Sequence, residues 1–179
     1  DVSEVVLRAL HEDCDGNGDV TSVATISAEQ MSTLDFVARA PGVIAGMPVA
    51  AAVFAILGGS SISISSVISD GESVHAGTVL GSIVGSTRVL LQGERPALNL
   101  LSHLSAIATA TRAWADALSD STTKVRDTRK TTPGMRVLEK YAVRCGGGLN
   151  HRMNLSDAAL IKDNHVVAAG GVARAYELI

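Results

Sequence analysis

TKVRDTRKT (residues 123–131) is followed by a Thr-Pro-Gly turn at 132–134 and then by Met135, Leu138 and Ala142 at helical spacing. ALIKDNHV (159–166) and GVARAYELI (171–179) repeat that order, an apolar extended stretch followed by a helical one. Strand, helix, strand, helix is the pattern of a parallel βα array. Thr132 is the expected N-cap of the intervening helix, with Pro133 at its first position.

Within TKVRDTRKT, alternate side chains of a strand face opposite sides. Asp127 and Arg129 therefore share a face with Val125, while Arg126, Thr128 and Lys130 take the other. Arg129 and Lys130 fall at the C-terminal end of that strand, and Lys162 at the equivalent end of ALIKDNH. In parallel βα arrays this end carries the ligand site, because loops and helix N-termini meet there. CGGGLNHR (145–152) adds three glycines that would allow close backbone approach to a ligand, then His151 and Arg152. A solvated edge is the plain alternative for such a charge run. So many like charges around one mouth would repel one another unless an anion neutralised them, which favours an anion site.

The charge distribution supports a local site. From Ser121 to His165 there are nine Lys or Arg against four Asp or Glu, in a chain of 179 residues whose net charge is -3. Nucleic-acid binding calls for a broadly basic domain and, for single strands, aromatic platforms; only five residues here are Phe, Trp or Tyr. A small anionic ligand fits better. Hydrophobic residues make up 46% of the chain, enough for a core, yet no apolar run has the roughly 18 residues of a bilayer span. The opening DVSEVVLRALHED lacks the basic then apolar pattern of a secretory signal. A cytoplasmic chain with no membrane partner is expected. Cys14 and Cys145 sit in no metal-binding spacing, so reduced thiols and no zinc site are expected.

Toward the N-terminus, Val2, Val5, Val6, Ala9 and Leu10 recur at helical spacing and predict a short helix ending before DCDGNGD. LDFVARAPGVIAGM (34–47), SISISSVISDGESVHAG (61–77) and TVLGSIVGSTRVLLQ (78–92) predict strands joined by tight turns, and PVAAAVFAILGG (48–59) a helix closed by a glycine pair. From Glu94 to Leu118 an Ala- and Leu-rich stretch predicts a helix of about six turns with Pro96 in its first turn, suited to joining two domains. DCDGNGDVTSVA (13–24) imitates a calcium loop through Asp13, Asp15 and Asn17, but Ala24 stands where a bidentate Glu is needed. An Asx-rich turn is the simpler reading. SDGESVHAGTVLGSIVGS (69–86) resembles the hammerhead turn of biotinyl and lipoyl carrier domains; no lysine precedes position 124, so no modifiable lysine occupies it and the turn is structural. His11, His75 and His103 are taken as ordinary helix or turn residues.

The block RDTRKTTPGMRVLEKYAVRCGGGLNHRMNLSDAALIKDNH (126–165) closely resembles the motif region of the quinolinate phosphoribosyltransferase family. GERPALNLLSHLSAIATAT (93–111) resembles that family's segment between its two domains, and GDVTS (18–22) is also similar. The resemblance implies an α/β (α+β) chain: an N-terminal mixed α/β sandwich domain over residues 1–104, then the first βα units of an incomplete α/β barrel over 105–179. It implies a homodimer in which the N-terminal domain of one chain covers the barrel mouth of the other. The reaction it implies transfers phosphoribosyl from phosphoribosyl pyrophosphate to quinolinate with magnesium, giving nicotinate mononucleotide, pyrophosphate and carbon dioxide in the de novo route to NAD. By motif match, Arg129, His151, Arg152 and Lys162 would grip quinolinate, Arg95 would reach in from the partner subunit, and Lys130 would lie toward the phosphoribosyl pyrophosphate. Lys130 and Lys162 are the expected catalytic lysines, and no residue of this chain is assigned to a metal. Members of that family continue well past KDNH, so a C-terminally truncated piece with little turnover of its own is expected. Nicotinate phosphoribosyltransferase, or a noncatalytic binding or assembly module, are the alternatives.

Overall fold

The structure is a computed structural model that describes residues 2–16 and 18–179. Asn17, one of the oxygen residues of the calcium-like loop, lies outside them. Helix α1 (Val2–Cys14) buries Val6 and Leu10, as its spacing predicts, and runs on through Asp13 and Cys14. Asp19 then caps α2 (Val20–Thr25), accepting from the N–H groups of Thr21 at 2.9 Å and Ser22 at 3.2 Å. GDVTS is thus a helix start, in which one carboxylate satisfies two otherwise orphaned donors.

Strands β1 (Met31–Val37), β5 (Val79–Ser86) and β3 (Ser63–Ser66) form an antiparallel sheet in the order β1-β5-β3, and β2 (Gly42–Val43) pairs with β4 (Ser73–Val74). Between β2 and β3, α3 (Met47–Gly58) buries Val49, Ala50, Val53 and Phe54 and ends at Gly59. Its N-terminus is held by Asp70 from the Asp-Gly turn, whose carboxylate accepts from Gly46 N–H at 2.7 Å and Met47 N–H at 3.1 Å. Helix α4 (Thr87–Ala117) lies on α3 and crosses residues 104 and 105 without interruption. The two approach closely at Gly93, where a Cβ would sit 2.6 Å from the Phe54 ring.

Helix α4 therefore begins seven residues before the expected Glu94, and TRVLLQ, read as strand, is helical. Burial of Leu90 and the Gly93–Phe54 contact outweigh the weak β preference of Thr and Val there. Pro96 consequently lies inside the helix rather than in its first turn, and the ladder forgoes one bond there.

Beyond α4 the βα order survives in altered form. The strand over 123–131 is reduced to one parallel bridge, Arg126 to Leu149. Its predicted alternation holds: Val125, Asp127 and Arg129 are partly buried, while Arg126, Thr128 and Lys130 are exposed. Helix α5 starts at Arg136 and runs to Cys145, so Thr132 and Pro133 do not open it. Gly134 adopts a left-handed φ of 81°, which a right-handed helix cannot include, and Met135 N–H bonds back to Thr132 O to close a turn. The second strand position falls to Leu149, within the segment read as a ligand loop. The glycines before it serve packing: a Cβ on Gly146 would lie 2.4 Å from the Ala108 carbonyl oxygen of α4, and one on Gly148 would lie 2.8 Å from the Thr111 side chain. ALIKDNHV is not a strand. Without a ladder to join, residues 159–162 stay irregular, and α6 (Asp163–Ala169) takes up the remainder, followed by α7 (Val172–Glu177).

Candidate functional site

Asp127 is the centre of the polar cluster at the carboxyl end of the Arg126–Leu149 bridge. Its Oδ1 accepts from Lys140 Nζ at 2.5 Å and from His151 N–H at 2.7 Å, and its Oδ2 accepts from Asn150 Nδ2 at 2.6 Å. Lys140 also donates to the His151 carbonyl at 2.9 Å. The side chains of Lys140 and Asp127 are 1% and 7% exposed, so each charge depends on the other. Asn150 Nδ2 donates to the Lys140 carbonyl as well, and Arg144 donates to Asn150 Oδ1.

The next pair in the chain continues the network. Arg152 N–H donates to His151 Nδ1 at 2.8 Å, so a neutral His151 ring carries its proton on Nε2. The buried Arg152 guanidinium donates one bond to the Ala158 carbonyl at 2.6 Å. The network thus takes in His151 and Arg152. Arg129, Lys130, Lys162 and Arg95 stand outside it. Lys162 is the exposed residue preceding α6, its N–H donating to His165 Nδ1. Arg95 is exposed on α4 and lines a groove of about 960 Å³ walled by β1, β2 and α4; no other predicted site residue reaches that groove.

Partners divide the cations into two groups. Arg126, Arg136, Lys140, Arg144 and Arg152 all donate to oxygens within the chain. The side chains of Arg95, Arg129, Lys130 and Lys162 make no hydrogen bond or ion pair among the described residues. Arg129 is the sharpest case, because its Nε is fully buried and unpartnered. A buried donor left without an acceptor costs about 1–3 kcal/mol, which an anionic ligand would recover. Among the described residues no group of three or more His, Cys, Asp and Glu is placed to hold a metal ion.

A second cluster ties α4 to α5. Glu139 accepts from His103 Nε2 at 2.9 Å and from Thr132 N–H at 3.1 Å. Burial pushes its carboxyl upward, but the bonds from Thr132 and His103 outweigh this and hold it below the usual carboxylate range. His103 is therefore more than a bland helix residue. On the far face of α5, Tyr141 donates to Asp70 at 2.7 Å; burial and that carboxylate push its hydroxyl up, and burial pushes the neighbouring Cys145 thiol up.

Sequence reasoning placed Asp127 on one face with Val125 and Arg129 but missed Lys140 and Asn150. Lys140 sits between Leu138 and Ala142 on a helix whose apolar spacing gives no hint of a buried charge. The unequal count of acids and bases was the available signal, since an inward Asp needs a cation.

The quinolinate phosphoribosyl transferase N-terminal domain matches residues 19–105, and the C-terminal domain of that name matches residues 107–179. The carboxylating nicotinate-nucleotide pyrophosphorylase of Mycobacterium leprae is 46% identical over 177 residues, covering 98% of this chain and 62% of that protein. Quinolinate phosphoribosyltransferase (decarboxylating) 1b of Nicotiana tabacum is 43% identical over 179 residues, covering 100% and 50%. The crystal structure of NadC from Streptococcus pyogenes matches with a TM-score of 0.93 at 41% identity, covering 99% of this chain and 62% of that one. The chain spans between half and 62% of the length of these relatives. Its architecture is accordingly a mixed α/β N-terminal unit followed by the first units of an incomplete α/β barrel.

Proposed function

The chain belongs to the quinolinate phosphoribosyltransferase family, and on that premise we propose that it supplies the quinolinate-binding wall of an enzyme that transfers phosphoribosyl from phosphoribosyl pyrophosphate to quinolinate with loss of carbon dioxide. Nicotinate mononucleotide and pyrophosphate are the other products, which places the reaction in NAD biosynthesis. The observation that carries this reading is the buried, unpartnered Nε of Arg129, next in the chain to Lys130, whose side chain no oxygen of the described residues engages.

Quinolinate is a rigid dicarboxylate. A planar guanidinium binds a carboxylate in two-pronged fashion, fixing orientation along with charge. In this reading Arg129 offers its Nε edge to one carboxylate, and Arg152 and His151, held by the Asp127 network, face the ring with Lys162. Lys130, a compact point charge, suits the phosphates. The ribosyl centre gains oxocarbenium character between the pyridine nitrogen and departing pyrophosphate, so the protein acts by positioning and electrostatics. Ribosylation puts positive charge on the ring nitrogen; that charge stabilises the electron pair left on the adjacent ring carbon as carbon dioxide departs, and a proton from solvent then takes the vacated position. Magnesium belongs to this reading as the ion carried on the pyrophosphate, since it binds through phosphates more than through dedicated protein cages. The same reading includes a cytoplasmic location, the division between residues 104 and 105, and a homodimer with Arg95 contributed across the interface.

Titration calorimetry of the chain with quinolinate and with nicotinate tests the proposal. Quinolinate should bind at least about tenfold tighter than the monocarboxylate, and Arg129→Lys, which keeps charge but removes the fork, should weaken quinolinate by about 10- to 100-fold. Equal affinity for the two ligands would favour a nicotinate enzyme. Absence of binding to either would leave the family's fold without its ligand site.

A further inference from the structure

We propose that the buried Asp127–Lys140 pair is a positioning device for the His151–Arg152 peptide, and not only a structural ion pair; the proposal rests on the quinolinate-binding reading above. The observation that carries it is how the parallel ladder ends. Leu149 N–H donates to the Val125 carbonyl at 2.8 Å, and Asp127 N–H donates to the Leu149 carbonyl at 3.1 Å. In a continuing parallel ladder the next bond would run from His151 N–H to the main-chain carbonyl of Asp127. It runs instead to that residue's side-chain Oδ1, at 2.7 Å.

A carboxylate thus stands in the ladder where a peptide carbonyl belongs. On the other side of His151, the carbonyl accepts from Lys140 Nζ at 2.9 Å, and the same Nζ is bonded to Asp127 Oδ1 at 2.5 Å. One ion pair therefore holds both main-chain polar groups of His151. The peptide that follows is fixed as well, because Arg152 N–H is taken by His151 Nδ1 at 2.8 Å. His151 and Arg152 lie at the point where the ladder stops. With the main chain fixed at two points, and the guanidinium of Arg152 bonded to the Ala158 carbonyl, the imidazole and guanidinium leave that point with little freedom. Helix α5 supplies Lys140 and the strand before it supplies Asp127, and both side chains are buried, so the pair acts through His151 and Arg152.

The test separates stability from position. Lys140→Met removes the ammonium but keeps most of the side chain's bulk, and it leaves a buried carboxylate unpaired, so it should destabilise the chain. The double variant Lys140→Met with Asp127→Asn removes both charges while keeping an acceptor for His151 N–H, and should recover most of the lost thermal stability. Neither variant can hold the His151 carbonyl. Quinolinate should therefore bind about 10- to 100-fold more weakly to both, measured at a temperature where each is folded. A double variant that recovers wild-type affinity along with its stability would overturn the proposal. If the unaltered chain binds no quinolinate, the functional reading fails instead, and amide hydrogen exchange judges the clamp: exchange at Arg152, whose N–H belongs to the peptide that Lys140 holds by its carbonyl, should speed up in both variants while Leu149 is unchanged. Unchanged exchange at Arg152 would overturn it.

Discussion

Glu139 shows how one carboxylate can join two parts of the chain. Its two oxygens accept from His103 on α4 and from the Thr132 N–H just before α5. The carboxyl is held below its ordinary value of 4.5, the two bonds outweighing the upward push of burial. For a group with a lowered folded value, the stabilisation is present above the unfolded value and is lost as pH falls through the folded one. Urea midpoints measured from about pH 7 down to about pH 3 should therefore fall more steeply below pH 4.5 in the unaltered chain than in Glu139→Gln. Identical slopes would remove Glu139 as the titrating group. At this scale the sequence was informative about direction and silent about partners. Alternation in TKVRDTRK placed Asp127 and Arg129 on one face and Lys130 on the other, because period two is a local property; the structure shows the first face to be the partly buried one. That Lys140 would meet Asp127, or His103 meet Glu139, depends on how α5 is set against α4 and the 125–127 strand, which spacing within one element does not encode.

Asp70 decides the packing of elements in the same way. Its carboxylate closes the N-terminus of α3 through Gly46 and Met47 and receives the Tyr141 hydroxyl from α5, joining the two halves of the chain through one residue. Asp70→Ala should cost about 2–3 kcal/mol, the sum of a lost helix cap and a lost charged hydrogen bond, and Tyr141→Phe about 1 kcal/mol. In a double-mutant cycle by urea denaturation, Tyr141→Phe should cost much less in the Asp70→Ala background, since the bond it removes is already gone. Additive losses would mean that the two residues act apart. The Asp-Gly turn was legible from its residues, as were α1 from its periodicity and α3 from its apolar run and closing glycine pair. The start of α4 and the second barrel strand were not. TRVLLQ is helical because Leu90 is buried and Gly93 lies against Phe54 of α3, and Leu149 occupies a strand position although three glycines precede it. In both places tertiary contact overrode local preference.

Across the whole molecule, burial is uneven along the chain. The buried apolar residues lie almost entirely between Val6 and Ala108, around β1, β5, α3 and α4; beyond α4 only Leu138, Ala142 and Ala175 join them. Over the same C-terminal stretch, Leu155 is 69% exposed, Val167 80%, Val172 68% and Tyr176 77%. Helices α6 and α7 pack chiefly on each other. Local opening energies follow buried apolar contact, so the two ends of the chain should open independently. Native-state hydrogen exchange should find β1, β5 and α4 amides exchanging at the global unfolding limit. Amides of α6 and α7 should exchange about a hundredfold faster or more, through openings at least about 2.7 kcal/mol cheaper. Removing residues 163–179 should then leave the unfolding free energy of the N-terminal unit, from urea denaturation, within about 0.5 kcal/mol of its original value. If α6 and α7 exchange together with α4, the chain unfolds as one cooperative body, and the βα units would have to draw their stability from the Asp127, Glu139 and Asp70 links rather than from a core of their own.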